Sequence, residues 1–380
     1  MAADTILIFR SELLPPSETF VVEQARTPRT FRPIFVGLKR LHSGISLPAA
    51  STIVMSEARG TIRERLRRRL FSESGYDPRF LRKLSRESPA LIHAHFAVDA
   101  CLALPISKQL GIPLVVTLHG YDVTRNDEHL RRTVAGRIYL RRRRELWRRA
   151  NLFICISDYI RRKALGRGFP EEKLWVHRIG VDLKKFGSRN QPANSPPAVL
   201  FVGRLVENKG CTHLLRAMAV VQRRLRDTRL VIIGDGPLRQ GLEAEARGVR
   251  HCTFTGVQPH AEVRRWMERA TVLVMPSVEV ASGDSEGLGM VMCEAQALGV
   301  PGIAFRGTGV EEALAYGESG LLVPPRDEAA LAEAIVRVLT DDDLRRSLAI
   351  AGRSHAERCF DLHRQTAILE EKYREVLKGQ

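Results

Sequence analysis

Residues 285–295 read SEGLGMVMCEA, a glycine-rich turn that opens a helix and carries a glutamate near each end. The turn follows an apolar run, Val272 to Met275, which predicts a buried strand of a parallel sheet. Loops that follow such strands lie at the carboxyl edge of the sheet, where open α/β folds bind their ligands. Because a helix N-terminus presents unpaired backbone N–H groups, we expect a phosphate group to bind at this turn.

The two glutamates of this stretch are widely spaced. Glu286 and Glu294 are eight residues apart, which corresponds to about 12 Å of helix rise at roughly 1.5 Å per residue. The paired carboxyl groups of glycoside hydrolases lie closer together, roughly 5 to 9.5 Å apart. The spacing instead suits a long ligand with hydroxyl groups at both ends and a diphosphate between them, such as a nucleotide-sugar. An amphipathic helix with two solvated glutamates is the alternative, and spacing alone does not separate the two.

The surrounding sequence favours the nucleotide-sugar. The turn is preceded by VLVMPS at residues 272–277 and followed by ALGVP at residues 297–301. This Glu-x7-Glu arrangement closely resembles the donor motif of the family 4 retaining glycosyltransferases of GT-B fold, and the resemblance covers most of residues 198–330. It implies that Glu286 contacts the donor sugar, that Glu294 holds the ribose hydroxyls, and that the configuration of the sugar is retained.

A second motif, GRLVENKG at residues 203–210, follows the first strand of the same half. Arg204 and Lys209 resemble the pair of cations that grips the donor diphosphate in the family. Negative charge grows on the phosphate as it leaves, and cations already in place stabilise this charge more than they stabilise the ground state. Two exposed surface cations on a loop are the alternative. The resemblance implies further donor contacts, which we assign to Gly287, Leu288, Gly289, Met290, Gly256 and Val257.

The pattern of apolar runs defines the fold class. Strand-length apolar runs alternate with helical segments in both halves of the chain, which predicts an α/β protein. We expect the GT-B architecture, with two facing Rossmann-like domains and an interdomain cleft. The domains are placed at residues 1–183, for the acceptor, and 198–358, for the donor, with a Pro/Ser/Asn-rich linker at 191–197. By resemblance, the helix at 362–380 packs back on the first domain.

The first half carries its own candidate site at residues 117–122, TLHGYD, at the end of a predicted strand. With SETF at 17–20 and HAHF at 93–96, this segment resembles the exopolysaccharide branch of the family. We expect His119 to bind sugar hydroxyls or to help the acceptor lose its proton, and Tyr121 and Asp122 to bind the acceptor. His93 and His95 are expected on opposite faces of their strand, with a core role for either.

Two loops depart from the family pattern. Many relatives have a Gly-Gly pair after the first strand, whereas residues 14–17 read LPPS here. Any phosphate contact from this loop must therefore come from Ser17 or from the backbone N–H groups near it. Relatives also tend to have Gly-Gly-x-Pro-Glu where residues 307–311 read GTGVE, which leaves the role of Glu311 open.

Composition limits the class of protein. With 44% hydrophobic and 27% charged residues, the chain is typical of globular proteins. No apolar run approaches the length of a membrane span, and the first residues lack the basic region of a signal peptide, so we expect a cytoplasmic protein. The six cysteines are scattered and predict reduced thiols. We find no His/Asp cluster for a metal and no Asp-x-Asp in a suitable loop, so we expect no metal and no cofactor other than the nucleotide-sugar as co-substrate.

The net charge of +17 lies mostly in the first half, since residues 1–183 carry +15 of it. One consequence could be nucleic-acid binding, but aromatic residues are only 6% and none is interleaved with the arginine runs, so we expect no nucleic acid as partner. Residues 62–70 and 134–147 instead predict basic amphipathic helices, which bind anionic membrane surfaces. A lipid-linked or saccharide acceptor would then be expected there, with a soluble small-molecule acceptor as the alternative.

Overall fold

The structure is a computed structural model that describes residues 4–27, 30–42, 44–57, 60–187 and 196–379. The chain divides into two compact units, a first unit of Met1–Gly180 with Leu362–Gln380 and a second unit of Val181–Asp361. Both units are built on a parallel sheet with helices around it. Of the predicted linker at 191–197, residues 191–195 lie outside the described residues.

The first unit contains a sheet of seven parallel strands in the order β5-β3-β1-β6-β7-β8-β9, together with the short parallel pair β2-β4. The residues of β7 are all buried, as expected for a central strand covered on both faces. The strands are β1 (Asp4–Phe9), β2 (Glu12–Leu13), β3 (Phe31–Gly37), β4 (Lys39–Arg40), β5 (Thr52–Val54), β6 (Pro89–His95), β7 (Leu114–Leu118), β8 (Leu152–Cys155) and β9 (Leu174–Val176).

Several helices of the first unit begin at a side chain that caps the backbone N–H groups of the first turn. At α2, the Thr61 side chain accepts a hydrogen bond from the Glu64 N–H while the Glu64 carboxylate accepts from the Thr61 N–H, so two free backbone donors are satisfied. The helices are α1 (Thr19–Arg26), α2 (Ile62–Ser74), α3 (Pro78–Ser85), α4 (Ala97–Leu110), α5 (Tyr121–Thr124), α6 (Asp127–Arg131), α7 (Val134–Arg149) and α8 (Asp158–Gly166).

The second unit contains a sheet of six parallel strands in the order β12-β11-β10-β13-β14-β15. This is the strand order of dinucleotide-binding folds, in which the order reverses between the first and fourth strands and leaves a crevice at their carboxyl ends. The switch point therefore lies between β10 and β13. The strands are β10 (Ala198–Val202), β11 (Arg229–Ile233), β12 (Cys252–Gly256), β13 (Val272–Met275), β14 (Gly302–Phe305) and β15 (Gly320–Val323).

Several helices of this unit bury apolar residues against the sheet in one core, in which Val199, Leu214, Leu230 and Ile335 are fully buried. The helices are α9 (Cys211–Arg224), α10 (Arg239–Glu245), α11 (His260–Arg269), α12 (Met290–Ala297), α13 (Val310–Ala313), α14 (Glu328–Thr340) and α15 (Asp342–Cys359). Among the described residues, no helix combines the length and the apolar character needed to cross a membrane.

The last helix, α16 (Leu362–Lys378), belongs to the first unit. Its Glu370 carboxylate accepts hydrogen bonds from the Thr30 N–H, at 2.9 Å, and from the Thr30 hydroxyl, at 2.8 Å. Tyr373 is buried, and its hydroxyl lies 2.7 Å from Nδ1 of His93. A Cβ atom on Gly180 would lie 2.3 Å from Cα of Leu362, so the chain leaves and re-enters the first unit with its two backbones in contact.

Candidate active site

The loops that follow β10 and β13 bring two predicted residues together at the switch point of the second sheet. Lys209 Nζ forms an ion pair with Glu286 Oε2, and both side chains are mostly buried. The two residues are 77 positions apart in the chain. A partly buried ion pair is screened by salt less than a pair on the surface.

Glycine fixes the position of Lys209. A short 3-10 turn, Glu207–Lys209, ends at Gly210, whose φ of +68° is in the left-handed region. A Cβ atom at this position would lie 1.8 Å from the carbonyl oxygen of Pro276, which follows β13. The backbone of the first loop therefore touches the backbone of the second, and this contact holds Lys209 beside the loop of Glu286.

The turn at residues 286–290 is held by the loop after β14. The Gly309 N–H donates to the Glu286 carbonyl at 2.9 Å, and a Cβ atom on Gly309 would lie 1.9 Å from the Gly287 carbonyl oxygen. Leu288 is buried, and Gly289, with φ of +84°, is the N-cap residue of α12, which starts at Met290. Because a glycine cap offers no side-chain acceptor, the N-terminus of α12 has no cap of its own.

Glu311, whose role the sequence left open, binds within its own loop. Its carboxylate accepts a hydrogen bond from the backbone N–H of Gly307. The contact closes the loop of residues 307–311, which in turn supports the turn at Glu286. Although this loop lacks the Gly-Gly-x-Pro-Glu sequence, its Glu311 makes a structural contact within the loop.

Glu294, on α12, has a histidine partner that the sequence analysis did not single out. Nε2 of His260 lies 3.0 Å from Glu294 Oε1, and Nδ1 of His260 lies 2.9 Å from Nζ of Lys185. The Phe186 ring lies 5.4 Å from the imidazole and limits its motion. His260 is the first residue of α11, a few positions after the strand-end Gly256, and that position was the available signal in the sequence.

The remaining predicted donor residues lie at neighbouring strand ends. Arg204 is exposed and makes no side-chain hydrogen bond or ion pair with any residue that the structure describes. A Cβ atom on Gly234 would lie 1.9 Å from the Gly203 carbonyl oxygen, so the backbone before Arg204 is tightly enclosed although its side chain is not. Gly256 ends β12 with φ of +72°, and the Val257 side chain beside it is exposed. We refer to Arg204, Lys209, Glu286 and Glu294 as the switch-point site.

In the first unit, His119 follows β7 and is part of a group of three imidazoles. Its Nε2 lies 3.0 Å from Nδ1 of His95, and the ring centroids of His95 and His93 are 4.5 Å apart. The prediction that His93 and His95 lie on opposite faces of their strand was wrong, because residues two apart in a strand share a face. The core role expected for both is confirmed, since both are buried. We call His93, His95 and His119 the histidine stack.

The histidine stack is uncharged near neutral pH. Burial lowers the pKa of His93 to about 3, with a smaller contribution from His177. Burial, followed by the charge of Arg10, lowers the pKa of His119 well below its ordinary value, and burial likewise lowers the pKa of His95. The Phe96 and Phe20 rings lie 4.5 and 5.2 Å from the His119 ring. Nδ1 of His119 has no hydrogen-bond partner among the described residues.

Asp122 holds the loop that carries His119. Its Oδ1 accepts from the backbone N–H groups of His119, at 3.2 Å, and Gly120, at 2.9 Å, while Oδ2 accepts from the Ala97 N–H at 2.9 Å. Burial nevertheless raises the pKa of Asp122 to about 6, because these hydrogen bonds only partly offset the loss of hydration. The adjacent Tyr121 ring stacks on Phe96 with centroids 4.9 Å apart.

A buried ion network that the sequence analysis missed lies at the end of β1. The Arg10 guanidinium donates to both Glu18 carboxylate oxygens, at 2.9 and 2.6 Å, and pairs with Asp99. It also lies 4.3 Å from the centroid of the Phe96 ring. The network holds Glu18, and the adjacent Ser17 is exposed.

The described residues contain no group of three or more His, Cys, Asp or Glu side chains arranged to hold a metal ion. The expectation that the reaction needs no metal stays a prediction.

The fold and these sites identify the class of protein as a glycosyltransferase of GT-B fold. A family model described as glycosyl transferases group 1 matches residues 196–341, and one described as glycosyltransferase family 4 matches residues 47–185. The chain belongs to this family of glycosyltransferases. The resemblance inferred from the donor motif is thereby confirmed.

Among curated relatives, the α-D-kanosaminyltransferase of Streptomyces kanamyceticus is 31% identical over 291 residues, which are 70% of this chain and 72% of that protein. The amylovoran biosynthesis glycosyltransferase of Erwinia amylovora is 30% identical over 280 residues, or 72% of this chain. A putative colanic acid biosynthesis glycosyltransferase of Escherichia coli is 30% identical over 249 residues, or 64% of this chain. The matched regions span 66% and 59% of the last two proteins.

Solved structures resemble the whole chain. Sucrose-phosphate synthase from Thermosynechococcus elongatus has a TM-score of 0.79 at 22% identity, with 99% of this chain and 100% of that chain covered. The Anabaena protein HepE, crystallised with UDP and glucose, has a TM-score of 0.75 at 18% identity, with coverages of 98% and 100%. The predicted fold class, α/β with two Rossmann-like domains of GT-B type, is confirmed.

Proposed function

We propose that this glycosyltransferase moves a sugar from a nucleotide-diphosphate-sugar donor to a hydroxyl group of an acceptor, with retention of configuration. The observation that carries the proposal is the Lys209–Glu286 pair at the switch point of the second sheet, with the exposed Arg204 on the same loop as Lys209. This arrangement offers an anion site and a hydroxyl acceptor side by side. HepE, with a related fold, is bound to UDP and glucose.

In the proposed reaction, the switch-point site holds the donor. Arg204 and Lys209 bind the diphosphate together with the backbone N–H groups at the start of α12, and Glu294 accepts hydrogen bonds from the ribose hydroxyls. As the bond between the sugar and the phosphate oxygen breaks, its electron pair stays on that oxygen, where the two cations stabilise the new charge. Glu286, which is paired with Lys209, would orient the sugar hydroxyls.

The first unit is proposed to bind the acceptor. His119 is uncharged, and its Nδ1 has no partner among the described residues, so it can form a hydrogen bond with a sugar hydroxyl. The role of proton acceptor, which the lowered pKa disfavours, stays a prediction. The acceptor contact expected for Tyr121 stays a prediction: its ring stacks on Phe96, and the Arg125 guanidinium lies 5.0 Å from its centroid. The acceptor role expected for Asp122 stays a prediction, and its observed contacts, all with backbone N–H groups, support a role in positioning His119.

Exopolysaccharide or glycolipid synthesis is the pathway class that the relatives favour. Two of them carry names from amylovoran and colanic acid synthesis, and a third is a GDP-mannose-dependent phosphatidylinositol monomannoside mannosyltransferase from Mycolicibacterium smegmatis, 30% identical over 277 residues. The kanosaminyltransferase supports the alternative of a soluble small-molecule acceptor. A panel of nucleotide-sugars identifies only the donor, so the acceptor needs a separate experiment.

The donor experiment measures the melting temperature of the full chain with a panel of UDP-, GDP-, ADP- and dTDP-sugars. A true donor at 100 times its dissociation constant stabilises the native state by about 2.7 kcal/mol, which raises the melting temperature. Glu294→Gln should remove this shift, whereas Arg247→Gln, an exposed position away from the switch-point site, should retain it. If no nucleotide-sugar raised the melting temperature of the protein and the protein hydrolysed none of them, the proposed function would be wrong.

We also propose that the protein binds the cytoplasmic face of a membrane through α2. Ile62, Leu66 and Leu70, four residues apart on one face of α2, are 79%, 56% and 58% exposed. Ile138 and Leu146, on the apolar face of α7, are buried in the unit, so α7 does not offer a comparable face. Basic helices with exposed apolar stripes bind anionic lipid surfaces.

A vesicle experiment tests this proposal. The protein should sediment with vesicles that contain phosphatidylglycerol and be released as salt rises, and Leu66→Ser with Leu70→Ser should weaken the association severalfold. The matched control is Tyr76→Ser with Val257→Ser, two exposed apolar positions away from the α2 stripe. Equal recovery in the supernatant with neutral and anionic vesicles at low salt would exclude the membrane proposal.

A further inference from the structure

A large groove in the first unit carries a strong excess of positive charge. Its volume is about 1290 Å³, and it runs between α2 on one wall and residues 129–141 on the other. Among the described residues, its lining includes nine lysine or arginine side chains and three carboxylates. The groove reaches Tyr121, which lies two residues from His119.

Several of these arginines lack an acidic partner. Arg65, Arg69 and Arg131 are exposed and form no ion pair with any carboxylate among the described residues. Arg68 donates to the Ser56 hydroxyl, and Arg137 donates to the Arg131 carbonyl, so their positive charges also remain uncompensated.

Other cations of the same lining are neutralised. Arg141 pairs with Glu73 at 2.9 Å, and Lys39 lies 3.6 Å from Glu12. The uncompensated charges are therefore concentrated in two rows that face each other across the groove, one on α2 and one at residues 131–137. Like charges repel at this density, and an anion between the rows would relieve the repulsion.

The chemistry of the two rows indicates which anion. A guanidinium donates two parallel hydrogen bonds to a carboxylate or a phosphate, and one carboxylate has room for about two such donors. Five arginines on opposite walls suit a group with more oxygens and more charge. The donor diphosphate does not meet this need, because its proposed cations, Arg204 and Lys209, belong to the second unit.

We propose that this groove binds a phosphate or diphosphate group of the acceptor, so that the acceptor is a phosphorylated compound whose sugar end reaches His119. This inference rests on the proposed function. It assigns a binding role to Arg65, Arg69 and Arg131. The phosphate belongs either to a lipid or to a soluble molecule, and the apolar stripe of α2, in which Leu66 and Leu70 are the chain neighbours of Arg65 and Arg69, bears on that choice.

The test measures binding of two probes, inorganic pyrophosphate and farnesyl diphosphate, to the full chain by calorimetry. All proteins carry Arg204→Ala and Lys209→Ala, so that the switch-point site does not contribute. The groove variant adds Arg65→Gln, Arg69→Gln and Arg131→Gln. The control variant instead adds Arg79→Gln, Arg82→Gln and Arg86→Gln, which are exposed, lie outside the groove and change the net charge equally.

We expect the groove variant to bind at least one probe 10-fold or more weakly, and the control variant to change its affinity by less than 2-fold at the same ionic strength. Far-UV circular dichroism melting checks that both variants fold. The inference is wrong if the background protein binds neither probe, or if the groove and control variants bind equally well.

The two probes distinguish the sources of phosphate. If farnesyl diphosphate binds at least 10-fold more tightly than pyrophosphate, and Leu66→Ser with Leu70→Ser removes the difference, the phosphate belongs to a lipid. Equal affinities support a soluble phosphorylated acceptor. Donor-induced stabilisation, measured in protein with Arg204 and Lys209 intact and only the groove residues changed, is independent of this result, so the donor function and the groove can fail separately.

Discussion

The strand ends of the two units differ in how they place chemical groups. In the second unit, polar side chains meet in pairs: Lys209 with Glu286, on loops whose backbones touch at Gly210, and His260 with Glu294, on two helices. In the first unit, neutral imidazoles stack with one another and with Phe96. Rigid, charged loops suit a ligand whose charge increases during the reaction, whereas an uncharged aromatic surface suits a sugar whose hydroxyl loses a proton.

The largest effect on kcat is expected for the two proposed diphosphate-binding cations of the second unit. Arg204→Ala and Lys209→Ala should each lower kcat by about 10²-fold or more, the scale seen when one charge-stabilising donor is lost. Arg247→Ala, an exposed arginine of the same unit, serves as control. Steady-state kinetics with the donor found by the nucleotide-sugar panel provide the measurement. Near-normal kcat in both variants would remove the proposed diphosphate grip.

The next effect separates the two glutamates. Glu294→Ala should weaken nucleotide binding, because a ribose contact is present in both ground and transition states, whereas Glu286→Ala should mainly lower kcat. His260→Ala should weaken nucleotide binding less, by roughly 10-fold, since it only orients Glu294 through a 3.0 Å hydrogen bond. Calorimetry with the nucleotide diphosphate checks the order. An unchanged dissociation constant in Glu294→Ala would contradict the assignment.

The uncharged histidine stack of the first unit should affect how the stability of the protein depends on pH. The pKa of His93 is lowered to about 3, and those of His95 and His119 are also lowered. Below the ordinary histidine pKa of about 6.5, the unfolded chain therefore binds protons that the native chain does not, so stability present at pH 7 is lost as pH falls toward 3. Asp122, with a pKa raised to about 6, acts in the opposite direction below pH 6 but is one group against three.

The variant His95→Phe tests this account. It keeps a flat ring in the stack but removes one group that titrates only when the chain unfolds. The melting temperature of the variant should fall less between pH 7 and pH 5 than that of the native protein, and kcat at pH 7 should fall about 10-fold because His119 loses its orienting hydrogen bond. A parallel loss of stability in both proteins would show that the stack does not control the acid response.

The smallest expected effect is none at all. If Lys209 and Arg204 stabilise the leaving diphosphate, the reaction does not require a divalent cation at that position. Activity in the presence of EDTA should therefore equal activity without it. Full loss of activity with EDTA and its recovery with Mg²⁺ would show that the diphosphate-binding role of Arg204 and Lys209 has been assigned incorrectly.

Strands and their order of appearance were predictable, because continuous apolar runs such as Val272 to Met275 mark buried parallel strands. β15 is harder to recognise in the sequence, since GLLV at 320–323 follows a turn-rich segment. The sequence with its family resemblance placed Lys209 and Glu286 in donor loops, but their contact, across 77 positions, depends on how the loops pack.

The Arg10 network was invisible in the sequence for the same reason. Arg10 and Asp99 are 89 positions apart, and nothing in the local sequence of either indicates a buried ion pair. His93 and His95 were misplaced by a different error, the count of faces along a strand, which needs no tertiary information to correct. Local patterns therefore predict elements and motifs, whereas contacts between charged residues far apart in the chain require the structure.

The chain leaves the first unit after Gly180 and re-enters it at Leu362, and this arrangement has a consequence for engineering. The second unit begins and ends at one place, since the Val181 N–H donates to the Phe360 carbonyl at 2.6 Å and Val181 pairs with Asp361. In sequence, it is an insertion within the first unit, entered and left through neighbouring residues. Such insertions are exchanged most easily when their ends are adjacent. Residues 181–361 thus form a natural cassette. If the second unit holds the donor as proposed, replacing it with the matching segment of a relative that uses another donor should change the donor preference and leave the first unit as it is.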